Sequence, residues 1–308
     1  MRSLVAAPTR PGGSELRAVA DPEPAPDEAL VAVEAVSLNR GEVKAMRAAD
    51  DGARFGWDLA GTVLAPAADG SGPQEGARVV GLSFGRAWAE CVALPTGFLA
   101  PIPDSLSTSL ASTLPVAGLT ALHTLYTGGL TEGKRVLVTG AAGGVGRFAV
   151  QIANHGGADV TAIVGSEARG KGLRELGARD VVVGMPDSGE FDIILESVGG
   201  ASLSRALGMV APGGAVVSFG CSSGEPTTFE APSFFHRHGA RLCSFTLVPE
   251  LQHTGSAVHD LVNLADQLAT GRLASEIELE VDWTDAASAF DALLDRRVSG
   301  KAVLRITS

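Results

Sequence analysis

The first third of the chain consists of short apolar segments separated by glycine, proline, aspartate and serine. Segments of this length and spacing predict the strands of a small β-barrel or sandwich. A longer apolar stretch from 105 to 129 predicts helical structure, with Ser107 or Ser109 as the N-cap. The predicted strands are EALVAVEAVSLN (28–39), LAGTVLAP (59–66), ARVVGL (77–82) and AWAECVALP (87–95).

From Arg135 onwards the pattern changes to strands that alternate with helices. The strands are near-continuous runs of Val, Ile and Leu, which is typical of a parallel sheet covered by helices on both faces. We expect helices over 145–154, 168–176 and 201–210, and a sixth strand over Ala240–Val248. The other predicted strands are RVLVT (135–139), DVTAIVG (159–165), DVVV (180–183), FDIILESV (191–198) and AVVSFG (215–220).

The last part of the chain returns to short mixed elements. Helices are predicted over 259–269 and 286–294, and strands at IELEV (277–281) and KAVLRIT (301–307). The pattern therefore predicts a β-rich domain from residues 1–115 plus 249–308, interrupted by a doubly wound α/β domain at 116–248.

Composition narrows the classes of function. The net charge of −11 disfavours a general nucleic-acid or anionic-membrane surface. The N-terminus lacks the apolar core of a signal peptide, and no apolar run is long enough to span a membrane. Cys91, Cys221 and Cys243 lie far apart, so they form no disulfide framework. We expect a cytoplasmic protein that binds neither nucleic acid nor membrane.

The stretch VTGAAGGVGRFAVQIA (138–153) places a glycine-rich turn between a strand and a helix. Ala141, Gly143 and Gly146 occupy the three positions at which a dinucleotide-binding loop needs small residues. Such a loop turns tightly, lets backbone approach the pyrophosphate, and directs helix N-terminal amides at the anion. A turn that serves only close packing is the competing interpretation.

The end of the second strand indicates which dinucleotide binds. An NAD site usually has an acidic residue there, about 20 residues after the loop. This chain has Gly165 and Ser166, followed by Arg169, and these suit the 2′-phosphate of NADPH. An ordinary exposed arginine is the alternative for Arg169.

Eight motifs in fixed order carry a resemblance that covers almost the whole chain. The chain resembles the zinc-independent branch of the medium-chain dehydrogenase/reductase superfamily, the quinone oxidoreductases and related enoyl reductases. This resemblance implies a GroES-like β-barrel domain with an inserted Rossmann domain. The motifs are LNRGEV (38–43), GWDLAGTV (56–63), GARVVGL (76–82), VTGAAGGVG (138–146), LGARDVV (176–182), ESVGG (196–200), APGGAVVSFG (211–220) and GKAVLRI (300–306).

The resemblance also implies site residues. Asn39 and Thr120 are expected near the nicotinamide and its ribose, and Arg296 and Lys301 match basic positions that often reach the cofactor. Solvated charges are the alternative for the last two. The further cofactor-binding residues are expected to be Gly143, Gly144, Val145, Gly165, Ser166, Arg169, Gly220, Cys221, Ser222, Phe245, Thr246 and Leu247.

The zinc ligands of metal-dependent relatives are replaced at the matching positions. Asn39 stands where those relatives have a cysteine, and Trp57-Asp58 where they have a histidine-glutamate pair. Neither asparagine nor tryptophan is a useful zinc ligand. We therefore expect no metal.

The expected chemistry is hydride transfer from NADPH to a quinone or an α,β-unsaturated carbonyl. The tyrosine that quinone-type relatives often carry in the active site is replaced by Lys44. We hypothesise that Lys44, with Asn39, orients or polarises the substrate carbonyl; an exposed lysine without this role is equally compatible. The predicted pocket walls are Phe55, Trp57, Phe84 and Trp88, and filling of the barrel core is the alternative for them.

Two other functions remain open. A dedicated enoyl reductase of a biosynthetic, polyketide-like pathway shares the AAGGVG motif. An NADPH-binding sensor or structural protein without turnover is compatible with the lack of a definite acid or base. We also expect a homodimer through the apolar edge strand near Ala240–Val248, because exposed edges are normally paired or covered.

Overall fold

The computed structural model describes residues 1–307 of the chain. The chain divides into two compact units, which are Met1–Leu119 with Leu251–Ser308, and Thr120–Glu250. The first unit is thus formed by both ends of the chain, and the second is inserted between them. No helix of the described residues is long and apolar enough to cross a membrane.

Strands form the sheets at the centre of both units. Residues 1–307 form fifteen strands: β1 (Arg2–Ala6), β2 (Ser14–Ala18), β3 (Glu28–Ser37), β4 (Asp58–Ala65), β5 (Arg78–Leu82), β6 (Cys91–Pro95), β7 (Leu99–Pro101), β8 (Arg135–Val138), β9 (Asp159–Val164), β10 (Asp180–Val183), β11 (Phe191–Glu196), β12 (Val210–Ser218), β13 (Arg241–Ser244), β14 (Ile277–Asp282) and β15 (Lys301–Arg305).

Nine α-helices occur in the same residues, together with four short 3-10 turns. The helices are α1 (Arg40–Arg47), α2 (Thr108–Ser112), α3 (Pro115–Gly128), α4 (Gly144–His155), α5 (Gly200–Met209), α6 (Ala231–Phe235), α7 (Leu247–Thr254), α8 (Val258–Ala269) and α9 (Ala286–Leu294).

The first unit is built around a seven-stranded sheet. Its order is β14-β15-β3-β4-β5-β7, and β6 pairs with the other end of β3. Strand β15, near the C-terminus, pairs antiparallel with β3 through Val303 opposite Ser37. The core of this unit contains the aromatic side chains of Trp88, Trp283 and Phe290. The sheet therefore brings residues from both ends of the chain into one core.

The second unit is a six-stranded parallel sheet. Its order, β10-β9-β8-β11-β12-β13, reverses between β8 and β11. Near-continuous apolar strands suit this arrangement, because both faces of a parallel sheet are buried. The reversal is the topological switch point at which open α/β sheets bind ligands. The predicted fold class, a GroES-like domain with an inserted Rossmann-type sheet, is confirmed.

Local signals predicted several helices well. Ser107 caps α2 by accepting a hydrogen bond from the Leu110 amide at 3.2 Å. Helix α9 has the predicted bounds, and α4 and α5 each begin one residue early. Pro115 begins α3, so the stretch from 105 to 129 forms two helices.

The helix predicted over 168–176 was wrong. Only a 3-10 turn, Glu167–Gly170, forms there, followed by turns. Gly170 and Gly172 interrupt the segment, and Gly172 has a φ of 80°. Glycine in a helix interior costs about 1 kcal/mol relative to alanine, and a positive φ ends a right-handed helix outright.

The sixth strand is shorter than predicted. Strand β13 ends at Ser244, and α7 begins at Leu247. The sequence analysis missed α7, although Pro249 lies in its first turn. Proline is tolerated there because first-turn amides have no partner inside the helix.

Candidate functional site

The glycine loop of the second unit connects β8 to α4. Gly143 caps the helix with an extended backbone, and Gly140 turns the chain with a φ of 60°. Gly143, Gly144 and Val145 are half-buried, so their backbone is accessible to a ligand. The amides of a first helical turn have no intrahelical partner and carry the positive end of the helix dipole. The loop can therefore bind an anion such as a pyrophosphate.

The close packing of this loop requires glycine at position 146. A Cβ on Gly146 would lie 2.5 Å from Ala141 Cα and from the Gly140 carbonyl oxygen. A Cβ on Gly140 would lie 2.7 Å from Ser197 Oγ, on the neighbouring strand connection. The geometry thus has the tight turn and the close approach of helix and strand that a dinucleotide loop needs.

The end of β9 is open and has no carboxylate at the strand end itself. Gly165 and Ser166 are exposed, and Arg169 lies half-buried in the 3-10 turn that follows. Nothing lies within 4 Å of the space that a Gly165 side chain would occupy. The residues predicted for the 2′-phosphate are therefore together at one strand end.

Arg147 is a residue of this region that the sequence analysis missed. It is only 5% exposed, and its Nη2 donates to the Lys171 carbonyl oxygen at 3.0 Å. This contact joins α4 to the segment after the 3-10 turn. Its position directly after Gly146, in the first turn of α4, was the available signal.

Two further predicted groups follow the next strands of the sheet. Gly220, Cys221 and Ser222 come after β12, and Phe245, Thr246 and Leu247 come after β13. Because all six strands are parallel, these residues lie at the same edge of the sheet as the glycine loop. Phe245 and Leu247 are buried, and Thr246 between them is exposed.

A buried carboxylate, Glu196, organises the connection after β11 and was also missed. It accepts hydrogen bonds from the amides of Val198 and Gly199, both at 3.0 Å, and from Ser202 Oγ at 2.8 Å. The available sequence signal was an acidic residue at the end of an apolar strand, three residues before a glycine pair. Glu196 fixes the loop that faces the glycine turn through Ser197 and Thr139, whose side chain accepts from the Ser197 amide.

The first unit contains a second buried polar cluster, formed by Ser37, Asn39, Glu42, Asp58 and Lys301. Asp58 accepts from Ser37 Oγ at 2.5 Å and from Asn39 Nδ2 at 2.9 Å, and its other oxygen accepts from the Val116 amide at 2.8 Å. Glu42 accepts from the Asn39 amide at 2.7 Å and from the Trp57 amide at 2.8 Å. Strand pairing of β15 with β3 brings Lys301 to this cluster.

Lys301 lies inside the cluster and not at a surface. Its ammonium donates to the carbonyl oxygen of Leu38, to Asn39 Oδ1 at 2.9 Å and to Asp58 Oδ2 at 3.3 Å. An ammonium has three N–H donors, and all three are used here. This placement argues against the predicted contact of Lys301 with a cofactor.

The side chain of Asn39 is held in one orientation by its neighbours. Its Nδ2 donates to Glu42 Oε1 at 3.1 Å and to Asp58 Oδ2 at 2.9 Å. Both amide protons are therefore used, and the hypothesis that Asn39 polarises a substrate carbonyl by donating to it is corrected. Its Oδ1 retains one lone pair beyond the bond from Lys301, so it can still accept a hydrogen bond.

The pKa of Glu42 is raised to about 8. Burial in the core is the main cause, and the nearby Asp58 carboxylate is the second. The Asn39 hydrogen bonds and the Lys301 charge act in the opposite direction. Burial and the neighbouring carboxylate therefore both favour the protonated form of Glu42.

The cluster does not fit a zinc ion. Its side-chain donors are Asn39, Glu42 and Asp58, without a thiolate or imidazole, and the Lys301 ammonium already lies among them. Zinc sites are usually built from cysteine and histidine. Residues 1–307 also contain no other group of three or more His, Cys, Asp or Glu placed to hold a metal ion.

The remaining predicted residues differ in accessibility. Lys44 is exposed on α1, and Arg296 is exposed after α9 with a φ of 60°. Thr120 is buried in α3. Arg296 adopts this left-handed conformation at a helix C-terminus, where its amide donates to the Leu293 carbonyl and closes the last turn.

The predicted pocket walls are only partly accessible. Trp88 is 1% exposed and stacks on Phe290 with ring centroids 5.1 Å apart, so it belongs to the core and its prediction as a pocket wall is corrected. Phe55 packs against Trp88 from the edge of that core. Trp57 is half-buried over Gly41, and Phe84 is exposed against Phe98.

Two family models match the chain. Residues 25–104 match the alcohol dehydrogenase GroES-like domain, and residues 144–263 match the zinc-binding dehydrogenase domain. The spectinabilin polyketide synthase system protein NorB of Streptomyces orinoci is 33% identical over 91% of this chain. This chain spans only 13% of the length of that relative.

Two relatives are similar over most of their own length. A Bacillus subtilis protein named as a quinone oxidoreductase, YhfP, is 28% identical, and the match covers 82% of this chain and 81% of the relative. The crystal structure of Escherichia coli quinone oxidoreductase complexed with NADPH has a TM-score of 0.86 and covers 99% of both chains at 21% identity. At that identity the structural match shows the fold.

Proposed function

We propose that this chain, which belongs to the medium-chain dehydrogenase/reductase superfamily and resembles its quinone oxidoreductase branch, is an NADPH-dependent, zinc-independent reductase of conjugated carbonyl compounds. The observation that carries the proposal is the glycine loop at the switch point of a six-stranded parallel sheet. The complex of the Escherichia coli quinone oxidoreductase with NADPH supports the choice of cofactor.

The cofactor would be bound more by the backbone of the glycine loop than by charged side chains. We assign the pyrophosphate to Gly143, Gly144 and Val145, and the 2′-phosphate to Gly165, Ser166 and Arg169. The groups after β12 and β13, Gly220–Ser222 and Phe245–Leu247, would frame the nicotinamide half. When bound, NADPH supplies the hydride that reduces the substrate.

The absence of zinc ligands directs the choice of substrate. Without a Lewis acid on the carbonyl oxygen, reduction favours acceptors that delocalise the developing negative charge. Quinones and α,β-unsaturated carbonyls do so through conjugation, whereas a simple ketone does not. A conjugated acceptor is therefore the substrate class that suits a site whose residues around Asn39 offer no metal-binding donor set.

Lys44 is the residue of α1 that we propose to orient the substrate carbonyl. It lies two positions after Glu42 and is exposed, whereas Asn39 has no N–H to offer. We propose that Asn39 instead accepts a hydrogen bond through Oδ1 from the cofactor. Lys44→Ala should lower kcat with a conjugated substrate, and an unchanged rate of NADPH consumption would remove Lys44 from the mechanism.

A dedicated enoyl reductase is the second candidate. The polyketide synthase system relative, at 33% identity over 91% of this chain, favours it. Because the chain spans a small part of that relative, its substrates do not transfer directly. The two candidates are separated by comparing kcat/KM for an enoyl thioester with kcat/KM for a benzoquinone. A higher value for the thioester favours the dedicated enoyl reductase.

The experiment for the proposed function is a turnover assay with NADPH. We expect oxidation of NADPH with a benzoquinone or an enoyl thioester, and none with a saturated ketone. Gly146→Ala should abolish turnover because its Cβ meets backbone at 2.5 Å. Gly208→Ala is the matched control, since nothing lies within 4 Å of its Cβ position in α5. Tight NADPH binding without turnover on any acceptor would favour a sensor or structural protein instead.

We also propose a homodimer through the edge strand β13. Leu242 on this strand is 47% exposed, and unpaired edges invite strand addition. Light scattering should give twice the monomer mass, and Leu242→Lys should shift the protein towards the monomer. A monomeric wild-type protein would contradict this proposal.

A further inference from the structure

A cavity of about 360 Å³ in the first unit lies outside every residue assigned above. It is lined by the segment before β3, by the segment before β4, by the loop after β5 and by β6. Its charged lining residues include Arg54 and Arg86. A volume of this size lies at the lower end of the roughly 300–1,000 Å³ typical of small-molecule sites.

Backbone pairing places the two arginines beside each other. The Trp88 amide donates to the Phe55 carbonyl at 3.1 Å, and the Ala87 amide donates to the Gly56 carbonyl at 3.0 Å. This close approach depends on glycine at position 56, where a Cβ would lie 2.5 Å from the Trp88 nitrogen. Arg54 and Arg86 flank the paired segments, so the fold holds both side chains at the same cavity.

Neither arginine has an anionic partner. Within residues 1–307, no carboxylate lies within 4.0 Å of the Arg54 or Arg86 guanidinium, and Arg54 Nε is buried without a hydrogen-bond partner. Burial and the neighbouring Arg86 charge both lower the pKa of Arg54. Arg17 in the same unit is different, because it is paired with Asp51 at 2.7 Å. Two adjacent cations with an unused donor form a site that an anion would stabilise.

The other lining groups limit the kind of anion. The carboxylates of Asp21, Glu23 and Glu28 also line the cavity. The pKa of the Cys91 thiol is raised mainly by burial and further by the charges of Glu90 and Asp21. A second anionic group would be repelled at that end. Pro22 and Val92 supply apolar wall. The ligand therefore has one anionic group and an uncharged organic body.

We infer that this cavity binds a small organic anion with a single anionic group, a carboxylate or a phosphate, that lies against Arg54 and Arg86. None of the residues that line the cavity is among those assigned to the proposed NADPH site. Bidentate pairing with a guanidinium suits both carboxylate and phosphate, so the two groups are separated by experiment.

The test uses Cys91, which lines the cavity, as a reporter of occupancy. Alkylation of the full chain by neutral iodoacetamide is followed by mass spectrometry of the Cys91 peptide, with saturating NADPH present throughout. Benzoate is the carboxylate probe, phenyl phosphate is the phosphate probe, and benzamide is the neutral control. We expect at least one anion to slow Cys91 alkylation several-fold, while Cys243 in the second unit reacts at its normal rate.

The arginine variants decide the result. Arg54→Gln with Arg86→Gln should remove the protection, whereas Arg272→Gln, an exposed arginine elsewhere in the unit, should retain it. A circular dichroism spectrum equal to that of the wild type shows that the double variant is folded; if it is not, Arg86→Gln alone replaces it. The inference is overturned if neither anion protects Cys91, if benzamide protects equally, or if protection persists without the arginines. Because NADPH is saturating and turnover is not measured, these outcomes do not depend on the proposed reductase function.

Discussion

Each of the two units buries carboxylates completely, but they stabilise them in different ways. In the second unit, Glu196 accepts from two backbone amides and a serine hydroxyl close in sequence, and from Thr139 Oγ1 at the longer distance of 3.4 Å. In the first unit, Asp58 contacts a buried cation, Lys301, which comes from the other end of the chain, and the charge of Lys301 also acts on the nearby Glu42.

Glu196 is therefore stabilised mainly by groups close to it in the chain, whereas the carboxylates of the first unit depend on Lys301, which is distant in the chain. A buried carboxylate that accepts several N–H and O–H donors keeps its charge without a counter-ion. Two acids beside one base cannot both stay charged at low cost, and Glu42 therefore has a raised pKa. In the second unit, Glu196 thus fixes a loop at the proposed cofactor edge of the sheet. In the first unit, the raised pKa of Glu42 favours a protonated carboxyl group beside Asn39.

The largest expected effect comes from removing the shared cation. Lys301→Met leaves Asp58 buried without its partner, which should lower the free energy of unfolding by about 3–5 kcal/mol. Urea unfolding measures this loss. Lys44→Met, an exposed lysine of the same unit, is the control and should change stability by less than about 0.5 kcal/mol. A loss equal to that of the control would show that the cluster does not need the cation.

A smaller effect is expected from the carboxylate of the second unit. Glu196→Gln replaces an acceptor by an NH₂ group that faces the Val198 and Gly199 amides or the Ser202 hydroxyl. The free energy of unfolding should fall by about 1–3 kcal/mol, because donors are left unpaired. Glu175→Gln, exposed in the same unit, should leave it unchanged. If Glu196→Gln costs as much as Lys301→Met, the contrast between the two clusters fails.

The pH dependence of stability sharpens the comparison further. Glu42 has a pKa of about 8 in the folded chain against an ordinary value of 4.5, so the folded state binds more protons between these values. Its contribution to stability is complete below pH 4.5 and is lost as the pH rises through 8, with a slope of up to about 1.4 kcal/mol per pH unit. Glu42→Gln should remove this slope from a series of unfolding curves. If the stability of the wild-type and Glu42→Gln proteins changes in parallel with pH, the raised pKa of Glu42 in the folded state is contradicted.

Sequence periodicity and turn chemistry predicted much of the fold. The glycine loop, the order of the apolar strands and α9 all depend on residues close together in the chain. The helix expected at 168–176 failed because the glycines at 170 and 172 outweighed the apolar spacing.

Only those residues of the candidate site that lie close together in the sequence were predictable. Gly143–Val145 and Gly165–Arg169, which we propose as cofactor-binding residues, were predicted from their own motifs. The Lys301 contacts were missed because they join Asn39 to a residue 262 positions away. Arg54 and Arg86 were missed for the same reason, since only the pairing of two loops makes them neighbours.

The central claim, that the second unit binds NADPH through the glycine loop and the end of β9, is tested most directly by calorimetric titration with NADPH and with NADH. The account predicts tighter binding of NADPH, a loss of that preference but not of NADH binding in Arg169→Gln, and loss of both in Gly146→Ala. Equal affinity of the wild-type protein for the two dinucleotides, or unchanged NADPH affinity in Gly146→Ala, would contradict it.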